Sequence, residues 1–151
     1  RECKEDTGYI QESKWQMITE VAKAVMDKYT RNTTLTRALY NGLFFQQAPQ
    51  DTSGSYGVFY INGITRDEIM GAASNGISKI EIQFNLFTDN DDGGFEISTI
   101  SQLLTDCFDW KNLYVEGYHS VWMQRNNILP LGYVDEMWQT TIEYELGIEK
   151  E

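Results

Sequence analysis

One stretch constrains this chain more than any other: residues 77–107, which read ISKIEIQFNLFT, then DNDDGG, then FEISTISQLLTDC. Ile80, Ile82, Phe84 and Leu86 alternate with Lys79, Glu81, Gln83 and Asn85. That period of two predicts a strand with one face in a core. Downstream the period changes. Ile97, Ile100, Leu104 and Cys107 recur at three and four residues, the spacing of one helical stripe. An acidic corner, Asp89-Asn90-Asp91-Asp92-Gly93-Gly94, joins the two. Both apolar faces need cover, so the unit predicts a sheet with a helix packed on it.

The corner invites a calcium reading. In a helix–loop–helix calcium loop the sixth position is Gly and the twelfth a bidentate Glu. Counting from Asp89 puts Gly94 at six but Ile100 at twelve, and Glu96 comes too early. Helix capping is the better reading, because Asp and Asn ahead of a helix accept its free N–H groups and complement its dipole. The glycine pair follows a strand and precedes a helix, as a phosphate loop does. It lacks the glycine spacing and the lysine, and its acidic neighbours repel phosphate.

His119 is the only histidine, and Cys3 and Cys107 are not spaced to form a zinc site with it. No GxSxG-type nucleophile turn occurs. A hydrolase built on His119 and Ser120 is therefore the weakest reading, and neither enzyme chemistry nor a cofactor is expected. Cys107 on the helix stripe reads as a small core residue.

Along the chain, residues 1–12 are polar and predict a flexible or partner-docked tail ahead of one domain, 13–151. Nothing near Arg1 has the apolar core of a signal peptide. Ser13 and Gln16 have capping-box spacing, predicting a helix start. Trp15, Ile18, Ala22, Val25 and Tyr29, with Val21, form its stripe, and it should end near Tyr29 or Thr30. Residues 35–48 are ambiguous, with a strand at Leu43 to Gln47. Tyr56 to Ile64 is almost continuously apolar, as in a strand buried on both faces, with a bulge at Gly63. It should pair with the strand from Ile77 in a long antiparallel hairpin whose tip is Ala72 to Gly76. Tyr114 to Arg125 reads as a strand, Asn126 to Glu136 as a long connection, and Met137 to Ile148 as a closing strand. In that last strand Trp138, Thr140, Ile142, Tyr144 and Leu146 share one face. The result is an α+β fold: a mainly antiparallel sheet with two helices on one face, in the order α-β-β-β-α-β-β.

The formal net charge is −11, from 12 Lys and Arg against 23 Asp and Glu. Tight nucleic-acid binding needs a basic patch, and only Lys23, Lys28, Arg31 and Arg37 cluster. An acidic surface most often simply keeps a domain soluble; it also suits a wall past which DNA slides without sticking. No apolar run reaches the roughly 20 residues of a membrane span, so a soluble chain is expected. The 4 Trp, 9 Tyr and 7 Phe serve a core and protein interfaces better than a nucleic-acid stacking platform. A small α+β module holding an apolar ligand between sheet and helices is the alternative from another class.

Three phrases carry a family likeness: Ala48-Pro49 shortly before Tyr56-Gly57-Val58-Phe59, the Ile80-to-Phe87 strand leading into the second helix, and the Trp138-to-Leu146 closing strand. With the element order, they make residues 13–148 resemble the tail terminator, or tail completion, proteins of long-tailed bacteriophages. Ser55 stands where that family often has proline. The resemblance implies a non-enzymatic virion protein of the tail or neck, assembled in the host cytoplasm. It implies a homohexameric ring that caps the tail tube protein, meets a head-side neck or connector protein, and lets genomic DNA pass through its hole. Another neck connector or a tail-tube subunit is the neighbouring reading. Interface residues are expected at the hairpin tip, Ala72, Ala73, Ser74 and Asn75, and in the long connection, Asn127, Ile128, Leu129, Leu131 and Tyr133.

Overall fold

The computed structural model describes residues 2–67, 76–129 and 131–151. Helix α1 (Glu2–Arg31) and the short α2 (Thr33–Ala38) open the chain, followed by β1 (Leu43–Phe45), β2 (Tyr56–Asp67) and β3 (Ile77–Thr88). Then come α3 (Phe95–Phe108), β4 (Tyr118–Ile128), β5 (Gly132–Val134) and β6 (Met137–Lys150). The expected α+β class and the order of the major elements hold, with α2 and β5 as short additions.

The strand order is β1-β2-β3-β6-β4, and β5 also pairs with β6. All pairings are antiparallel except β1 with β2, which is parallel. β2 and β3 form the long hairpin read from the sequence. Its register shifts between Ile61 and Gly63, which places the bulge at the expected glycine. β6 lies between β3 and β4, so the two most regularly alternating strands of the chain are sheet neighbours.

The alternation in β3 and β6 decides which face is covered. Ile80, Ile82, Phe84 and Leu86 from β3, with Ile142, Tyr144, Leu146 and Ile148 from β6, are all buried. The α3 stripe of Ile97, Ile100, Leu104 and Cys107 closes over them, joined by Phe108. Phe84 sits at the middle, its ring centroid 5.9 Å from Phe59, 5.0 Å from Phe108 and 5.8 Å from Tyr144. From α1 the core takes Val21, Ala22, Ala24, Val25 and Tyr29.

Several local expectations are corrected. α1 starts at Glu2, not Ser13. Extending a helix backwards costs far less than nucleating one, so Glu, Lys and Gln between residues 2 and 12 let it run through the polar segment. It also runs to Arg31, after which Asn32 accepts from Leu35 N (3.0 Å) and caps α2. Trp15 is 62% exposed because the helix has by then run past the sheet. β2 is covered on one face only; on the other, Tyr56 stacks on Phe87 with centroids 4.9 Å apart. β4 begins at Tyr118, since Gly117 (φ 85°) turns the chain first.

Candidate functional site

The acidic corner is a structural joint. The Asp92 carboxylate accepts from Glu96 N (3.0 Å), capping α3 from just outside the helix, while Gly94 supplies the left-handed backbone (φ 90°) at the cap itself. Asp89 accepts from Gly54 N (2.9 Å), tying the corner to the loop before β2. Beneath it, the buried hydroxyls of Ser55 and Thr88 lie 2.9 Å apart, and Ser55 donates to Glu96 (3.2 Å). The carboxylates are spent on backbone amides and helix entry, as the capping reading requires. Asp91, exposed like its neighbours, makes neither a hydrogen bond nor an ion pair among the described residues.

His119 and Ser120 cannot act together. They are consecutive residues on β4 and project to opposite faces. His119 is exposed, its Nδ1 3.7 Å from Glu151 Oε1. The Ser120 Oγ is buried and has no hydrogen-bond partner among the described residues. This geometry removes the His119–Ser120 pairing.

Of the expected interface residues, Ala72, Ala73, Ser74 and Asn75 lie outside the described residues. Asn127, Ile128, Leu129, Leu131 and Tyr133 are all exposed. Asn127 and Ile128 end β4, and Tyr133 lies in β5. Leu129 is anchored through its backbone: its N donates to Thr141 O (2.9 Å) and its O accepts from Thr140 Oγ1 (3.0 Å). Ile128 and Leu131 stand across from Ser98, Ser101 and Thr105 of α3, and together they line an open groove of about 210 Å³. Tyr133 packs on Trp138, centroids 5.1 Å apart. Phe95, in the first turn of α3, is 77% exposed. The result is an apolar rim around the N-terminal end of α3, held on paired backbone and not on a free loop.

The central part of the sheet face without helices is polar. Asn62 donates to Gln83 (2.8 Å), Gln83 to Asn85 (2.9 Å), and Thr141 also donates to Asn85 (2.9 Å). This amide ladder crosses β2, β3 and β6. Beside it stand Glu81 and Glu145, which are register partners, and Glu143 opposite Gln83. Glu145 is fixed by Trp122 Nε1 (2.9 Å) and Gln124 Nε2 (3.2 Å). Trp122 covers Gly147 so closely that a Cβ there would fall 2.4 Å from the ring.

Sequence reasoning missed one cluster. Tyr144 donates to Asp109 Oδ1 (2.5 Å), and Arg125 Nη2 lies 3.5 Å from Asp109 Oδ2. Burial, and then the Asp109 carboxylate, push the Tyr144 phenol well above its ordinary range. The three residues lie far apart in sequence and link α3's end to β4 and β6; no spacing could reveal them. Burial likewise raises the Cys107 thiol, as expected for a core residue and not for a nucleophile. The space between sheet and helices is occupied by Phe59, Phe84, Phe108 and Tyr144 among the described residues. No helix among the described residues is long and apolar enough to cross a membrane.

No protein-family model and no curated protein sequence matches the chain. Among solved structures, it resembles a chain from the virion of a native gene transfer agent particle, with a TM-score of 0.64 and 11% identity. That match covers 82% of this chain and 90% of the other. A second solved chain aligns at a TM-score of 0.48 and 12% identity, over 78% of this chain and 96% of its own length.

Proposed function

We propose that this protein is a virion structural protein, a tail terminator-like subunit of a homo-oligomeric ring on a phage-like tail. The fold likeness to a chain of a gene transfer agent virion, which spans 82% of this chain and 90% of the other, carries the reading. The surface chemistry supports it. An amide and carboxylate face free of helices, with Glu81, Glu143 and Glu145 side by side, suits the wall of a hole through which DNA passes. The apolar rim of Ile128, Leu129, Leu131 and Tyr133 suits contact with a neighbouring protein. In this reading the ring ends the tail tube, meets a head-side connector, and resides in the tail or neck. Its subunits perform no catalysis.

The same likeness also fits another neck connector or a tail-tube subunit. The two readings differ in where copies sit: a terminator forms one ring at the tube's head-proximal end, and a tube subunit repeats along the shaft. Immunogold labelling of assembled particles tests this. A single label at the tail–head junction supports the terminator, and label along the shaft overturns it in favour of the tube.

A further inference from the structure

The helical side of the molecule carries a feature that the ring reading does not use. An open cleft of about 550 Å³ lies where the last turns of α1 meet the start of α2, the end of α3 and the loop after it. Lys28, Arg31 and Lys111 line it, with Asp27 and Asp106 as the acidic members and Tyr114 at its edge. Both carboxylates have local partners: Asp27 lies 3.2 Å from Arg31, and Asp106 accepts from Gln102 (2.9 Å). Lys28 donates to the Asn112 carbonyl (3.0 Å), so no carboxylate neutralises it there. Lys111 makes no ion pair among the described residues. In a chain of net charge −11, the cleft holds three cations against two carboxylates, and Lys111 is its unpaired cation.

Its complement lies at the other end of the same helix. α3 has 14 residues, so its ends are separated by roughly 20 Å at 1.5 Å per residue. At the N-terminal end is the corner whose Asp91 remains free. Exposed aromatic side chains flank both places: Trp110 (72%) and Tyr114 (82%) beside the cleft, Phe95 and Tyr133 beside the corner. The cleft at one end of α3 carries a one-charge excess of cations, the corner at the other end is anionic, and both have exposed aromatic side chains beside them.

We propose that the cleft at the C-terminal end of α3 receives the Asp91 corner of a second copy of this chain, head to tail. This rests on the ring reading and deepens it. The two surfaces are different, so the contact is heterologous, and repetition of a heterologous contact closes into a ring when its rotation permits. Opposite charges set the register and the aromatic pairs add buried area. Association should weaken as salt rises, because the paired charges lie near the surface.

Reciprocal charge reversal tests the pairing. Lys111→Glu reverses one partner in the cleft, and Asp91→Lys reverses its counterpart in the corner; both positions are exposed, and neither caps a helix. Sedimentation should show each variant alone dissociating at concentrations on the order of tenfold higher than the wild type, with unchanged circular dichroism. A 1:1 mixture should regain the wild-type species, because alternating subunits place opposite charges at positions 91 and 111 across every contact. Wild-type assembly by either variant alone overturns the pairing and leaves the ring reading standing. Dissociation without recovery on mixing also overturns it. A wild type that never associates overturns both. If instead the cleft variant alone loses binding to a short DNA duplex, with assembly intact, the cleft serves a phosphate backbone and the pairing is wrong.

Discussion

Tyr144 and Asp109 share a 2.5 Å hydrogen bond that joins the centre of β6 to the residue capping the C-terminal end of α3. The phenol is buried and its titration is displaced upward by burial and by the carboxylate. A phenol whose folded pKa lies above the unfolded one stabilises the fold fully below the unfolded value of about 10. That contribution is lost as pH rises past it. Urea midpoints should therefore fall between pH 9 and pH 11, and Tyr144→Phe should fall less over the same interval. At neutral pH Tyr144→Phe should cost about 1.5–3 kcal/mol, the range for a hydrogen bond to a charged group. An equal pH response in both proteins would contradict this.

Among the described residues, Gly147 is the strand glycine with the least room for a side chain, because Trp122 lies over it. Gly147→Ala should destabilise by about 1–3 kcal/mol, the usual cost of overpacking. Most of that loss should disappear when the change is made in a Trp122→Ala background. Thermal unfolding of the four proteins in the cycle measures it, and additive losses would show that the ring is not the obstacle.

Asp92 and Asp91 are neighbours with different duties. Asp92→Ala removes the acceptor for Glu96 N and should cost about 0.5–2 kcal/mol, as helix caps do. Asp91→Ala should be neutral for stability within about 0.5 kcal/mol. Equal losses from both would mean that the corner acts through its total charge.

The turn between β5 and β6 holds Asp135 (φ 53°) and Glu136 (φ 65°) in left-handed backbone. That is the two-residue hairpin geometry normally built with Asn-Gly. Replacing the pair with Asn-Gly should raise stability by about 1 kcal/mol, visible as a higher midpoint in urea. A lower midpoint would mean that the native side chains make contacts worth more than the strain.

These cases show what was legible in the sequence. β3, β6 and α3 could be read because each buries one face, and burial imposes its period on the residues: Ile80 to Leu86, Ile142 to Ile148, Ile97 to Cys107. The cap at Asp92 was legible because capping is local. β5 was hidden because Asp135-Glu136 is not a sequence that signals a hairpin. The parallel pairing of Leu43–Phe45 with β2 left no mark, since three residues carry no period. α1 was begun too late because its upstream residues lack an apolar stripe and a helix can propagate without one. At the proposed assembly surface, the connection holding Asn127, Ile128, Leu129, Leu131 and Tyr133 stood out because it is long and interrupts regular strands. The cationic cleft did not, because Lys28, Arg31 and Lys111 meet only after α1 and α3 have packed.

The central claim is that copies of this chain close into a ring. Light scattering across a concentration series, with electron-microscope images of the same samples, tests it most directly. The account predicts a discrete multiple of the 17.5 kDa subunit and annular particles with an open centre. A mass fixed at one subunit at every concentration, with no annular particles, would contradict it.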